Sequence, residues 1–62
     1  MKRIQLIKHL KAHGCMLLRE GGDHTIFYNP ANGHQAPIGR HQELKNILCK
    51  KVCKQLGIPE IG

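Results

Sequence analysis

A glycine-rich turn that leads a histidine into an alternating segment is the part of this sequence best suited to chemistry. The turn is Gly21-Gly22-Asp23-His24, and the alternation continues to Tyr28. Glycine accepts positive φ and the close approach of another backbone, so the turn leaves room beside the imidazole. Histidine exchanges protons near neutral pH. The pattern predicts that His24 acts as a general base and takes a proton from a substrate seated beside the turn.

Strand alternation predicts that this imidazole faces solvent. Successive side chains of a strand point to opposite faces, so His24 and Tyr28 share one face while Thr25 and Phe27 share the other. Because Phe27 is a bulky and purely apolar side chain, we expect it to face the core and His24 to point outward. A surface histidine that only caps the turn is the alternative. Asp23 either caps the turn or holds one tautomer of the imidazole, and both roles stay open.

The other candidate site residues are those that suit a phosphate or a base. Arg40 and His41 lie at the predicted entrance to a helix, where backbone amides favour anions and arginine grips phosphate bidentately. The alternative for Arg40 and His41 is an exposed basic connector. Tyr28 offers a platform on which a base can stack, and ordinary sheet packing is the alternative for it. The candidate RNA-binding residues are Gly22, Tyr28, Arg40, His41 and Lys45.

The charge of the chain favours a polyanionic partner. Ten Lys and Arg against four Asp and Glu give +6 on 62 residues, with five histidines neutral. Such a density suits the phosphates of nucleic acid, although solubility is the common alternative. No stretch approaches the ~20 apolar residues that span a bilayer, and the basic start with interleaved Lys and His is no signal peptide. We expect no membrane contact.

The cysteines indicate a reducing cytoplasm and free thiols, since three is an odd number without framework spacing. Cys49 and Cys53 lie four residues apart, but no CxxC or paired-histidine motif accompanies them, so we predict core packing and no metal or other cofactor. A chain of this length makes one domain, residues 1–62, with a small aliphatic core.

The periodicity predicts an α+β fold in the order helix, three antiparallel strands, helix (α-β-β-β-α). Gly14 and Gly57 end the helices, and Pro37 confines the third strand to a sheet edge. The apolar arc of the first helix consists of Ile4, Leu6, Ile7 and Leu10. The apolar arc of the second helix consists of Leu48, Cys49, Val52, Cys53 and Leu56, with Leu44 and Ile47 at its flank. The predicted elements are a helix from Lys2 to His13, strands from Cys15 to Arg19, His24 to Asn29 and His34 to Ile38, and a helix from Gln42 to Leu56.

Several ordered fragments of the chain resemble the HicA (YcfA-like) toxins, small basic mRNA interferases of type II toxin–antitoxin pairs. The resemblance covers nearly the whole length, and its fragments gain specificity from their order and spacing. They are Leu6-Ile7-Lys8-His9-Leu10 with Gly14-Cys15, Leu18-Arg19-Glu20-Gly21-Gly22-Asp23-His24, Tyr28-Asn29-Pro30, Arg40-His41-Gln42-Glu43-Leu44 and Lys51-Val52-Cys53-Lys54-Gln55-Leu56-Gly57-Ile58.

The resemblance implies a double-stranded-RNA-binding-like sandwich with His24 as the catalytic residue. It also implies a HicB-type antitoxin that blocks the active site, and contact with operator DNA only through the antitoxin complex. Together with the residues it predicts a metal-independent endoribonuclease that cleaves mRNA. A non-catalytic RNA-binding module of the same fold is the first alternative, and a small DNA-binding or structural accessory protein is the second.

Overall fold

Two helices and a three-stranded sheet follow one another in the order α-β-β-β-α in a computed structural model, which describes residues 1–61. This order confirms the predicted fold. Left-handed glycines end both helices, as predicted, with φ of +84° at Gly14 and +72° at Gly57. The elements are α1 (Arg3–Ala12), β1 (Met16–Glu20), β2 (His24–Tyr28), β3 (Gln35–Gly39) and α2 (Asn46–Leu56).

The sheet is an antiparallel meander with β2 at its centre. On the β3 side, His24 lies opposite Gly39. On the β1 side the register shifts between Leu17 and Arg19, which is a β-bulge in the edge strand. Pro37 lies in β3, the other edge, as its missing N–H group requires.

The core lies between the helices and one face of the sheet. Phe27 and Thr25 of β2 are buried while His24 is exposed, which confirms the predicted alternation. All three cysteines are free and buried, as predicted. Burial, and to a lesser degree the charge of Cys53, raises the pKa of the Cys15 thiol, and burial likewise raises the pKa of Cys49. The apolar core consists of Leu6, Leu10, Cys15, Phe27, Ala36, Ile38, Leu44, Cys49, Val52, Cys53 and Leu56.

The second helix begins at Asn46, so the predicted start at Gln42 is wrong. The residues before it pair instead with the start of the chain. The Arg3 N–H group donates to the Gln42 carbonyl over 2.8 Å, and the Leu44 N–H group donates to the Met1 carbonyl over 2.8 Å. This pairing buries Leu44 in the core, so a contact distant in sequence overrides the helical periodicity.

Three side chains of the predicted apolar arcs are solvent-exposed. Ile4 of α1 is 62% exposed, Ile47 of α2 is 64% exposed, and Leu48 is also exposed. A small domain buries a limited share of its surface, and the sheet covers only the central part of each helical arc. Among residues 1–61, no helix is long and apolar enough to cross a membrane.

Candidate active site

An open cleft of about 400 Å³ lies where β2 begins and β3 ends. Antiparallel pairing brings these two ends together, because His24 is the register partner of Gly39. A Cβ at Gly39 would contact only Leu44 Cδ2, at 3.8 Å. The residues that line the cleft are Gly22, Asp23, His24, Gly39, Arg40 and His41.

The turn before His24 is closed by its own backbone. The Gly21 N–H group donates to the His24 carbonyl over 2.8 Å. A Cβ at Gly21 would lie 3.0 Å from that carbonyl oxygen, whereas a Cβ at Gly22 would meet nothing within 4 Å. A close backbone approach, one of the two conformations that glycine permits in a turn, is therefore present at Gly21. Positive φ, the other, is adopted by neither Gly21 nor Gly22.

Arg40 fastens the loop after β3 to this turn. Its Nη2 donates to the Gly21 carbonyl over 2.6 Å and to Glu20 Oε1 over 3.1 Å. The arginine side chain nevertheless remains 45% exposed. One guanidinium thus holds the two walls of the cleft together and still presents positive charge to a ligand.

A second arginine supports the same region from below. Arg3 donates from Nη2 to Thr25 Oγ1 over 2.7 Å and from Nε to the Gly39 carbonyl over 2.8 Å. Thr25, only 2% exposed, in turn donates to Glu20 Oε1 over 2.7 Å. These bonds connect the start of α1 to the ends of all three strands, directly beneath His24. Hydrogen bonds between charged and neutral partners of this kind are the stronger ones in proteins.

Sequence reasoning missed Arg3, Glu20 and Thr25 as parts of the site. One signal for Glu20 was present, since it is one of four acidic residues in a chain with ten cationic ones and directly precedes the turn. A carboxylate in such a setting finds a cationic partner, here Arg40. The alternation put Thr25 on the core face correctly, but it carried no signal that the hydroxyl has a charged partner on each side.

Four of the six predicted site residues line the cleft together, namely Gly22, His24, Arg40 and His41. Tyr28 lies at the far end of β2, about 13 Å along the strand from His24, and its hydroxyl contacts Met16 Sδ over 3.8 Å. Lys45 is exposed just before α2 and does not line the cleft.

The cleft combines a partly exposed cation with two exposed histidines. Arg40 is 45% exposed and ion-paired with Glu20, and Asp23 is the carboxylate that lines the cleft itself. Within residues 1–61, no hydrogen bond joins Asp23 to His24, and no cluster of three His, Cys, Asp or Glu side chains is placed to hold a metal ion. The cleft can therefore seat a phosphate beside a solvent-exposed imidazole.

The fold and this cleft define a small basic α+β protein with an exposed histidine and an arginine in one open cleft. Residues 4–58 match the family model described as HicA toxin of bacterial toxin–antitoxin systems. The match spans the cleft and every helix and strand except the first residue of α1. The chain belongs to the HicA toxin family and is a toxin of a toxin–antitoxin system. Comparisons with curated proteins and with solved structures gave no match.

Proposed function

We propose that this chain is an endoribonuclease that cleaves mRNA without a metal ion, with His24 as the general base. The observation that carries the proposal is the position of His24, exposed in a cleft that also holds Arg40 and His41. Membership of the HicA family, whose members are generally mRNA interferases, adds support. Single-stranded RNA is the substrate that suits an open cleft, because its bases and backbone are accessible.

The proposed reaction begins when His24 takes the proton of a ribose 2′-hydroxyl. The 2′ oxygen then attacks the adjacent phosphorus in line, the bond to the 5′ oxygen breaks, and that oxygen takes a proton from solvent. The products are a 2′,3′-cyclic phosphate and a 5′-hydroxyl end. Arg40, half-exposed at the cleft, stabilises the charge that develops on the phosphorane.

The test is cleavage of RNA by purified protein in excess chelator, with folding checked by circular dichroism. We expect cleavage with cyclic phosphate ends, no cleavage of an oligonucleotide with 2′-deoxyribose at the scissile position, and a loss of about 10²- to 10⁴-fold in His24→Ala. His34→Ala is the matched control, since His34 is exposed but does not line the cleft. Intact RNA from folded wild-type protein would overturn the proposal and favour a non-catalytic RNA-binding module.

The proposed partner is a HicB-type antitoxin that covers the cleft. Family membership implies an antitoxin, and a protein that blocks access to His24 would stop cleavage without altering the fold. We expect the chain to arrest growth when expressed alone, and co-expression of the neighbouring gene to restore growth and mRNA integrity. In this proposal operator DNA is bound only by the toxin–antitoxin complex. Tight binding of duplex DNA by the isolated chain would contradict that part.

A further inference from the structure

A second cleft adjoins the one at His24. It has a volume of about 380 Å³ and lies beside the first turn of α1. Arg40 lines both clefts, so the two adjoin at this residue. The other residues of this second cleft are Lys2, Arg3, Ile4, Gln42 and Glu43. A strand that crosses the first cleft at His24 therefore has a direct continuation over Arg40 into the second.

The floor of the second cleft is held in place by the fold. The backbone bond from Arg3 to Gln42 fixes its two sides relative to each other. The Arg3 side chain is anchored on Gly39 and Thr25, so this guanidinium belongs to the scaffold rather than to a ligand. A preformed cleft of a few hundred Å³ has the size at which small ligands are bound.

The charge of the second cleft is positive. Lys2 is exposed there, and Arg40 contributes a half-exposed side chain. The single carboxylate, that of Glu43, lies 3.3 Å from the amino group of Met1, which compensates its charge. An anion entering the cleft thus meets the exposed ammonium group of Lys2, while Arg40, although ion-paired with Glu20, adds a partly exposed cation beside it.

Ile4 adds an apolar surface to the same cleft. It is 62% exposed, and unlike the other apolar side chains of α1 it does not pack against the core. An exposed aliphatic side chain beside a lysine offers what one nucleotide unit needs, a surface for the face of a base and a partner for its phosphate.

We propose that the second cleft binds the phosphate and base that lie next along single-stranded RNA from the dinucleotide cleaved at His24. Lys2 pairs with that phosphate, and Ile4 packs against that base. The inference rests on the proposed function for the identity of the ligand as RNA. It adds that the chain reads a strand longer than the scissile dinucleotide, and that the start of α1 carries this contact.

The test compares Lys2→Ala and Ile4→Ala with Lys51→Ala and Ile47→Ala, which remove the same side chains from exposed positions of α2. Binding of a hexanucleotide is measured in the His24→Ala background as a function of salt. We expect the slope of log Kd against log salt to fall by about 0.7 in magnitude for Lys2→Ala, the contribution of one phosphate contact on single-stranded nucleic acid. Ile4→Ala should weaken binding without changing the slope. The controls Lys51→Ala and Ile47→Ala should change neither the affinity nor the slope.

Cleavage by the otherwise wild-type protein supplies the second readout. We expect Lys2→Ala and Ile4→Ala to lower kcat/KM for the hexanucleotide and to leave kcat/KM for a dinucleotide unchanged. Equal losses in the variants and their α2 controls, in either readout, would overturn the second cleft as a binding site. Hexanucleotide binding that shows the predicted slope change without any cleavage would instead overturn the proposed nuclease activity alone.

Discussion

His24 faces solvent because strand alternation turns its neighbours Thr25 and Phe27 into the core. This much follows from the sequence, since a single bulky apolar residue decides which face of the strand is buried. The contacts beneath the imidazole do not follow from it. Arg3 and Glu20 reach Thr25 only because α1 and β1 pack against the start of β2, and that packing is set by the whole fold.

At the residue scale, Thr25→Val should destabilise the protein by about 1–3 kcal/mol. Valine has nearly the same shape but cannot accept the bond from Arg3 or donate to Glu20, so the half-buried Arg3 loses a partner and Glu20 keeps only Arg40. The measurement is the free energy of unfolding in urea. Thr25→Ser, which keeps the hydroxyl, is the control and should retain most of the stability. Equal stability of the valine variant and the wild type would show that this network contributes nothing.

At the element scale, the start of α2 shows where local pattern fails. Gln42, Glu43 and Leu44 continue the helical periodicity, yet they form an extended segment that pairs with residues 1–3. The long-range pairing with residues 1–3 prevents the helix from starting earlier, because it both satisfies backbone groups and buries Leu44. The helix ends were easier to predict, since glycine with positive φ is a local requirement.

The glycine turn yields a paired prediction at the same scale. Gly21→Ala should cost about 1–3 kcal/mol of stability, because its Cβ would lie 3.0 Å from the His24 carbonyl and must displace the start of β2. Gly22→Ala should be neutral or stabilising by about 0.4–1 kcal/mol, because its Cβ meets nothing within 4 Å and its φ is not positive.

Thermal or urea unfolding of these two alanine variants measures the difference directly. Stability is the readout for this pair, because Gly22 also lines the cleft and a methyl group there can hinder RNA without changing the fold. Two variants of equal stability would contradict the close approach at Gly21.

At the scale of the whole molecule, the order of elements, the buried cysteines and the cationic character were accessible from the sequence. They depend on periodicity and composition, which are local or additive properties. The membership of the cleft was accessible only in part. Antiparallel pairing brings Arg40 and His41 to His24. Tyr28 lies at the opposite end of β2 from His24, and Lys45 lies in the segment just before α2, so neither lines the cleft.

The buried thiols predict how global stability depends on pH. Their raised pKa values in the folded state mean that Cys15 and Cys49 ionise at a higher pH in the folded protein than in the unfolded chain. The unfolded state then binds fewer protons, so the free energy of unfolding should fall as the pH rises above about 8.5. Below that value these groups contribute no pH dependence.

Urea denaturation in reducing buffer between about pH 7 and pH 10 measures this dependence. The double variant Cys15→Ala, Cys49→Ala should be less stable than the wild type at neutral pH, because cavities replace the sulfur atoms. Its free energy of unfolding should decline less steeply as the pH rises above neutral. An equally steep decline in the double variant would assign the effect to other groups.

The single-turnover rate of RNA cleavage, followed from about pH 5 to pH 8 in wild type and His24→Ala, tests whether His24 is the general base. With the imidazole of His24 as the base, the wild-type rate rises with pH as histidine side chains lose their proton, and the variant falls by about two to four orders of magnitude. A folded His24→Ala protein that cleaves RNA at the wild-type rate, with the same pH profile, would show that His24 is not the base.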